Sequence, residues 1–296
     1  MDYYTEIKEE LIKNEVYKKV KDYSKNRSDL QAYYNVGKML SEAGKNYGER
    51  IVEEYSNKLV KELNKKYNKR TLYRMKQFYE IFKDEKVSTL WTQLSWSHYR
   101  TMFSIKNFDK IKYYIKQCQE NNLSVRELQE KIKSKEYERL DEKTKEKIKN
   151  DNKLEVQDLV KNPIILNTNK EIIKEKMLQQ LILENMEKFL KELGNGFSFI
   201  ESEYKIKMGN IYNYIDLLLF NYIYNCFVVV ELKITKLKKE HIGQIETYMN
   251  YIDKNIKRIN QDKTIGIIIT KEEDKYIMSY CSDERIFNTI YELQEI

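Results

Sequence analysis

Proline and cysteine are both scarce in this chain of 296 residues. Proline occurs once, at Pro163, and the three cysteines are Cys118, Cys226 and Cys281. An odd number of widely spaced cysteines argues against a disulfide framework and against a zinc site. We therefore expect a protein of a reducing compartment, most simply the cytoplasm.

Long apolar runs are also missing. No stretch approaches the roughly 20 residues that a transmembrane helix needs, and the first ten residues lack the basic-then-apolar profile of a signal peptide. Charged residues make up 34% of the chain and hydrophobic residues 41%. We therefore expect a soluble cytoplasmic protein with no membrane partner, long enough for two domains that each bury a core.

Positive charge is concentrated in the first half. Residues 1–150 hold 34 Lys and Arg against 24 Asp and Glu, a net charge of +10, whereas residues 151–296 hold 20 against 23, a net charge of −3. A basic half predicts a polyanionic partner, most simply nucleic acid. The alternative interpretation is a lysine-rich surface that is merely solvated.

The basic half is predicted to be helical. It contains no proline, and apolar residues recur at spacings of three and four. Residues 48–82 indicate two helices, at about 49–65 and 69–82, that resemble a helix-turn-helix. Eight Lys and Arg but only one acid lie between Lys58 and Lys76. The predicted nucleic-acid contacts are Lys65, Lys66, Lys69, Arg70 and Arg74; the alternative is an exposed lysine-rich helical hairpin.

The pattern changes after a predicted linker at residues 151–170, where turn-forming residues surround Pro163. Residues 171–296 then indicate the order α-β-β-β-α-β, which is typical of an α/β sandwich with a mixed sheet. The predicted elements are a helix at 171–193, strands at 197–207, 211–220 and 226–234, a helix at 238–254 and a strand at 264–270. The sequence therefore predicts an α+β protein, with an all-α domain over 1–150 and an α/β domain over 171–296.

Three charged residues interrupt the apolar strands of this second domain. Asp216 lies within one strand, and Glu231 and Lys233 end the next. If the intervening turn is centred between residues 223 and 224, then residues whose numbers add up to 447 face each other. Asp216 and Glu231 would then pair across the hairpin, with Lys233 on their face and Leu232 on the other.

Two carboxylates this close would repel each other unless a cation lay between them. Mg²⁺ prefers such oxygen ligands and contacts phosphates, and Mn²⁺ is expected to substitute for it. We therefore predict that Asp216 and Glu231, with the Leu232 carbonyl, hold Mg²⁺, and that Lys233 acts on the attacking water or the transition state. The alternative is a buried structural ion-pair cluster.

The helices on either side of the predicted strands add further candidates. Gln244 and Tyr248 are four residues apart and share one helix face, and Lys238 at the start of that helix is a candidate DNA contact. The preceding helix could supply one more acid to the metal, and Glu184 is our choice over Glu187 and Glu192. Each of these helix acids has the alternative reading of a solvated surface residue.

Together these segments resemble the YhcG-like branch of the PD-(D/E)XK nucleases. In the second half the resemblance rests on ELGNGFSFI (192–200), YIDLLLFN (214–221), VVVELKITKLKKEHIGQ (228–244) and TIGIIIT (264–270). In the first half it rests on YGERIVEEYSNKLVKEL (47–63), LYRMKQFYEIF (72–82), QLSWSHYR (93–100) and LSVRELQEKI (123–132). The resemblance therefore covers most of the chain.

The resemblance implies a restriction-endonuclease-like domain joined to a helical domain that binds nucleic acid or partners. It implies that Asp216, Glu231 and Lys233 form the catalytic set, and that Gln244 and Tyr248 match the Gln-x-x-x-Tyr of RecB-like nucleases. It also transfers the family's helix acid to Glu184. The chain departs from the family pattern at three positions, Leu237, Lys239 and His241, which puts substrate contacts in question more than metal binding.

The leading hypothesis is a Mg²⁺-dependent DNA nuclease that acts in phage defence or genome maintenance. The alternative is a DNA-binding or complex-forming protein whose nuclease fold is catalytically weak or silent. The sequence leaves open whether RNA is cleaved, whether cleavage is internal or from an end, and whether the chain acts as a homodimer or in a larger complex.

Overall fold

The computed structural model describes residues 2–20, 25–83, 94–150 and 152–295. Two positions named above lie outside these ranges. They are Gln93, where the motif at 93–100 begins, and Asp151, where the predicted linker begins. The chain divides into two compact units, Met1–Tyr137 and Glu138–Ile296. A helical first unit and a second unit built on a mixed sheet confirm the predicted fold class.

Helices make up the regular structure described in the first unit. They are α1 Tyr3–Val20, α2 Lys25–Tyr47, α3 Arg50–Glu62, α4 Lys69–Phe82, α5 Trp96–Met102, α6 Phe108–Asn121 and α7 Val125–Lys133, with a short 3₁₀ turn at Lys65–Tyr67. The predicted helix pair is therefore confirmed as α3 and α4. Two asparagines separate the pair: Asn64 accepts a hydrogen bond from the Lys66 N–H, and Asn68 accepts one from the Thr71 N–H.

The first unit has an apolar core built from one face of each helix. Leu72, Met75, Phe78 and Phe82 form one buried stripe of α4. Helices α2 and α4 approach closely at Gly37, where a Cβ atom would lie 2.1 Å from the Met75 carbonyl oxygen. Of the helices in the described ranges, none is long and apolar enough to cross a membrane.

The second unit is a six-stranded sheet with helices on its faces. Its elements are α8 Glu142–Lys149, β1 Ile164–Asn167, α9 Glu175–Glu184, α10 Met186–Leu193, β2 Phe197–Met208, β3 Ile211–Asn221, β4 Cys226–Leu232, α11 Lys239–Asn255, β5 Asp262–Thr270, α12 Lys275–Ser279 and β6 Ile286–Gln294. The strand order is β1-β6-β5-β4-β3-β2. Strands β2, β3 and β4 are antiparallel neighbours, whereas β4, β5, β6 and β1 run parallel.

The structure of this unit differs from the prediction in four respects. The division between the units lies after Tyr137, and residues 164–167 of the predicted linker form β1, because their apolar side chains extend the sheet beside β6. Strand β6 was not predicted. The single helix predicted at 171–193 breaks at Asn185, whose backbone leaves the helical region (φ −125°, ψ 34°) and whose side chain donates to the Leu181 carbonyl.

The sheet separates two apolar cores. One lies under α9 and α10 and includes Leu217, Leu219, Val230 and Leu232. The other lies under α11 and includes Val229 and Ile268, with Ile245 and Tyr248 from the helix. Strands this apolar on both faces are typical of the buried centre of a sheet, so a charged side chain within them needs a specific reason.

Candidate active site

The register between β3 and β4 is the one predicted. Leu217 lies opposite Val230 and Leu219 lies opposite Val228, so the numbers of facing residues add up to 447. The ladder ends at Leu217 and Val230, and Asp216 and Glu231 are the next residues of the two strands. Leu232 packs into the core on the opposite face, as predicted, and its main-chain N–H donates to Asp216 Oδ2 at 2.8 Å.

The three predicted charged residues come together at the end of β4. Lys233 Nζ lies 3.2 Å from Glu231 Oε2. The main-chain N–H of Lys233 donates to the Ile269 carbonyl at 2.8 Å, which ties this residue to the end of the parallel neighbour β5. A strand end held from both sides presents its side chains with little freedom, which a catalytic group requires.

Glu231 is the most deeply buried acid of this cluster, with 1% of its surface exposed. Its Oε1 atom is buried and has no hydrogen-bond partner. Burial and the nearby charge of Asp216 raise the pKa of Glu231 to about 8, against the opposing effect of Lys233. In the metal-free protein this carboxyl therefore holds its proton near neutral pH.

The other two charges are shifted in different ways. Burial raises the pKa of Asp216, although the hydrogen bond from Leu232 and the charge of Lys233 act against it. Burial also opposes the charged form of Lys233, but Glu231, Asp216 and Glu175 together raise the pKa of that ammonium above its ordinary value. Lys233 is therefore a cation at neutral pH, beside two acids whose pKa values are raised.

Glu175 is a member of the site that the sequence analysis missed. It is the first residue of α9, and its Oε2 lies 3.7 Å from Lys233 Nζ. One turn further along the helix, the buried side chain of Gln179 donates to the main-chain carbonyl of Asp216 at 3.1 Å. The signal in the sequence was the spacing of four between Glu175 and Gln179, which places both on one helix face.

The prediction that Glu184 supplies the helix acid is wrong. Glu184 is exposed and accepts a hydrogen bond from Gln180 at 2.9 Å. It follows Glu175 by nine residues, which is two and a half helical turns, so the two acids project from opposite faces of α9.

Gln244 and Tyr248 lie where the predicted helix face required. Gln244 Nε2 donates to the Tyr248 hydroxyl at 3.1 Å, and Tyr248 is buried in the α11 core. Burial raises the pKa of Tyr248, and the charges of Glu231 and Asp216 raise it further, which indicates that the phenol is close to the acidic pair.

The start of α11 forms the rim of the site. Lys238 precedes the helix, its side chain is exposed, and its main-chain N–H donates to His241 Nδ1 at 3.2 Å. Burial and the charges of Lys233 and Lys238 lower the pKa of His241, which keeps this imidazole neutral at pH 7.

The donor set suits a small oxygen-preferring cation. Among the residues that the structure describes, no group of three or more His, Cys, Asp or Glu side chains could hold a metal ion. Mg²⁺, however, usually takes only one or two protein carboxylates and completes its shell with water and substrate oxygens. The orphaned Glu231 Oε1, buried beside a second carboxylate, is the atom that such a cation would satisfy. The residues present therefore fit Mg²⁺.

The predicted basic surface in the first unit is partly neutralised. Lys66 pairs with Glu15 and stacks on the Tyr67 ring, with its Nζ 4.9 Å from the ring centroid. Lys69 pairs with Glu53 at 2.8 Å. Lys65 is exposed in the 3₁₀ turn. The lysines of this surface therefore carry less free charge than their number indicates.

Arginines dominate the rest of that surface. Arg70 and Arg74 are one turn apart on α4, and burial, together with the charges of Arg100 and Arg70, lowers the pKa of Arg74. Arg100 lies on α5, which α4 contacts through the Phe78 and Tyr99 rings and through a hydrogen bond from Gln77 to the Phe103 carbonyl. No ion pair to an acid occurs for these three arginines within the described ranges.

Two family models match the chain, one for each unit. Residues 157–294 match the YhcG PDDEXK nuclease domain. Residues 7–139 match the DUF1016 N-terminal domain. The matches follow the same order along the chain as the two units. The match over residues 157–294 includes every residue of the candidate site.

Similar proteins carry names of the same kind. The "Putative nuclease YhcG" of Escherichia coli (strain K12) is 22% identical over 285 residues, which cover 81% of this chain and 76% of that protein. A repair endonuclease from Pyrococcus abyssi aligns with 43% of this chain and 50% of its own, at 18% identity and a TM-score of 0.29. The EndoMS-dsDNA2 complex aligns with 43% of this chain and 48% of its own, at 19% identity and a TM-score of 0.29.

Proposed function

We propose, since the chain belongs to the YhcG-like family of PD-(D/E)XK nucleases, that it is a Mg²⁺-dependent nuclease that hydrolyses phosphodiester bonds in DNA. The observation that carries this proposal is the Asp216–Glu231 pair, in which Glu231 is buried with one oxygen that has no partner, next to a charged Lys233. An isolated buried carboxylate pair is costly, whereas the same pair is a ligand set once a cation is present.

Asp216 and Glu231 are the residues that would hold the cation, with the main-chain carbonyl of Leu232 between them. When bound, Mg²⁺ would supply a more acidic water and neutralise charge on the phosphate oxygens. The Leu232 N–H donates to the Asp216 carboxylate, and the Gln179 side-chain amide donates to the Asp216 main-chain carbonyl. Asp216 is therefore held in place from two directions.

Lys233 and the Gln244–Tyr248 pair have supporting roles in this proposal. The ammonium of Lys233, held between Glu231 and Glu175, would orient the attacking water or stabilise the charge of the transition state. Gln244 and Tyr248 would keep donors beside the acidic pair, since their mutual hydrogen bond fixes both side chains on the α11 face.

The first unit would bind the polymer through phosphates. We assign this role to Arg70 and Arg74, with Arg100 beside them and Lys65 exposed nearby, because guanidinium groups without acidic partners are suited to bidentate phosphate contacts. Lys66 and Lys69 would have to leave Glu15 and Glu53 first, so they contribute less. Lys238 would contact phosphate at the rim of the active site.

The direct test is an incubation of the full chain with labelled linear, nicked, branched and single-stranded DNA. We expect cleavage of at least one of these substrates in Mg²⁺ or Mn²⁺ and none in a metal chelator. A protein inert on every DNA in both metals would instead support the alternative of a silent nuclease fold, and cleavage of RNA alone would change the substrate class.

A further inference from the structure

Strands β2 and β3 extend past the active site as a two-stranded ribbon with a basic and aromatic face. Lys205 lies directly opposite Tyr214, and Lys207 lies directly opposite Tyr212, so these four side chains share one face. Both tyrosines are about half exposed, at 50% for Tyr212 and 52% for Tyr214. This face therefore combines positive charge with exposed aromatic rings.

The lysines of this ribbon lie against an aromatic ring. Lys205 Nζ lies 3.9 Å from the centroid of the Tyr212 ring, and Lys207 Nζ lies 5.8 Å from the same centroid. Within the part of the chain that the structure describes, neither lysine forms an ion pair. Their positive charges are therefore available, and the aromatic ring holds them in place.

An irregularity at Asp216 turns the tyrosines onto the face of the ribbon that lies away from the α11 core. Ile215 and Leu218 both pack in the core under α11, although they are three residues apart, so the alternation of β3 shifts at Asp216. On β2, Glu203 has a left-handed backbone (φ +51°), and it is missing from a ladder in which Ser202 faces Leu217 and Tyr204 faces Ile215. A non-glycine residue in this conformation is strained and is characteristic of functional sites.

The ribbon is continuous with the active site. Tyr214 precedes Asp216 by two residues and Tyr212 precedes it by four, which places them about 7 and 13 Å along the strand from the catalytic acid. The charge of β2 changes sign over the same distance, with Glu201 and Glu203 beside the acidic pair and Lys205 and Lys207 beyond it. Tyr214 therefore lies within about 7 Å along the strand of the cation site, although its side chain is on the face of the ribbon that lies away from the α11 core.

We infer that this ribbon binds an unpaired segment of the nucleic acid, with Tyr212 and Tyr214 stacking on bases and Lys205 and Lys207 contacting phosphates. The inference rests on the proposed function and specifies its substrate class, which is a nucleic acid with a single-stranded segment adjoining the cleaved bond. Stacking on a side chain requires an open base face, which unpaired strands have and a duplex hides.

The test measures binding in a metal chelator, so that it does not depend on cleavage. The probe is a fluorescein-labelled oligothymidylate of about 16 nucleotides, at the upper end of site sizes for one single-strand-binding domain, beside a duplex of equal length. We expect Tyr212→Ala and Tyr214→Ala each to weaken single-strand binding roughly five- to a hundredfold. Duplex binding should change less than twofold, and Tyr→Phe at either position should retain binding.

Tyr222 provides a matched control. It follows the other end of β3 and is 66% exposed, so Tyr222→Ala removes an equivalent exposed ring about 26 Å along the strand from Tyr214. We expect wild-type single-strand binding from this variant. Lys205→Ala should reduce the salt slope of single-strand binding by about one, the value for one lost phosphate contact.

Several results would overturn the inference: no single-strand binding by the wild type, equal binding by the tyrosine variants, or an equal loss for Tyr222→Ala. Unchanged binding by both tyrosine variants would also indicate that the lysines only protect an edge strand from pairing with other chains. Failure of the proposed function looks different, because a protein that loses single-strand binding on substitution but cleaves nothing keeps the ribbon assignment and loses the nuclease assignment.

Discussion

The acidic cluster of the second unit and the basic surface of the first unit hold their charges in opposite ways. Asp216, Glu231 and Lys233 are embedded in a sheet, and one buried oxygen has no partner. The lysines of the basic surface are exposed, and Lys66 and Lys69 already have acids beside them. Burial without compensation is costly, whereas exposed charge costs almost nothing to retain.

This difference shows how far buried and exposed charges can each be used as evidence for a binding site. A buried charge without a partner points to a missing cation or substrate, because water cannot satisfy it. A count of surface lysines overstates the free charge, because neighbouring acids neutralise part of it. Arg70, Arg74 and Arg100 on that surface resemble the acidic cluster more closely, since no ion pair to an acid occurs for them within the described ranges and burial and the neighbouring arginines lower the pKa of Arg74.

The largest expected effect is on cleavage when the acidic pair is broken. Glu231→Gln and Asp216→Asn should each lower the rate by at least about a thousandfold, as the loss of a group that stabilises a transition state does. Glu231→Gln should nevertheless unfold at or above the wild-type temperature in metal-free buffer, because the carboxyl it replaces is already reluctant to ionise. A structural ion pair would instead lose about 3–5 kcal/mol of stability, so cleavage and thermal unfolding measured together separate the two readings.

A smaller effect on cleavage is expected from Glu175, and none from Glu184, the other acid of α9. Glu175→Gln should lower cleavage about 10- to 100-fold, because it removes a carboxylate that positions Lys233 rather than a ligand. Glu184→Gln, on the opposite face of the same helix, should cleave like the wild type. Initial rates of both variants on the substrate that the wild type cleaves best provide the comparison, and equal rates would remove Glu175 from the site.

The approach of Asp216 to Glu231 could be predicted because it depends on the length of the turn between β3 and β4. Two strands joined by a short turn have few registers, and a slip by one residue would turn both charges to the other face. The motifs of the helix pair, with Asn64 and Asn68 at the break, are local in the same sense. Such features are determined by neighbours in sequence.

The features that were missed depend on distant parts of the chain. Strand β1 pairs only with β6, more than a hundred residues away, so its four residues resemble a linker until the sheet is present. Glu175 was missed because the helix was predicted from 171 to 193 without the break at Asn185, and a helix read in isolation does not show which end meets the sheet. The side chain of Gln179 reaches Asp216 across 37 positions of sequence.

The pH dependence of the free energy of unfolding would test the acidic cluster directly. The folded protein holds the Glu231 proton up to about pH 8, whereas the unfolded carboxyl releases it near 4.5. Between these values the folded state binds more protons, so its stability should fall as pH rises, by at most about 1.4 kcal/mol per pH unit for this group, and level off above pH 8.

Urea unfolding of the wild type, Glu231→Gln and Glu184→Gln in a metal chelator checks this expectation. The difference between Glu231→Gln and the wild type should grow across that window, whereas Glu184→Gln should follow the wild type. A constant difference between Glu231→Gln and the wild type would mean that Glu231 is ionised throughout, and that the cluster is an ordinary ion pair.

The smallest effects are expected on the basic surface, where two double variants remove the same formal charge. Arg70→Ala with Arg74→Ala should reduce the salt slope of DNA binding by about two, one for each lost phosphate contact. Lys66→Ala with Lys69→Ala should reduce it by less than one, because Glu15 and Glu53 already occupy those ammonium groups. The measurement is anisotropy of a labelled duplex over a range of salt concentrations. Equal slopes for the two variants would show that net charge alone attracts the DNA, and an unchanged slope for the arginine variant would leave this surface a solvated face.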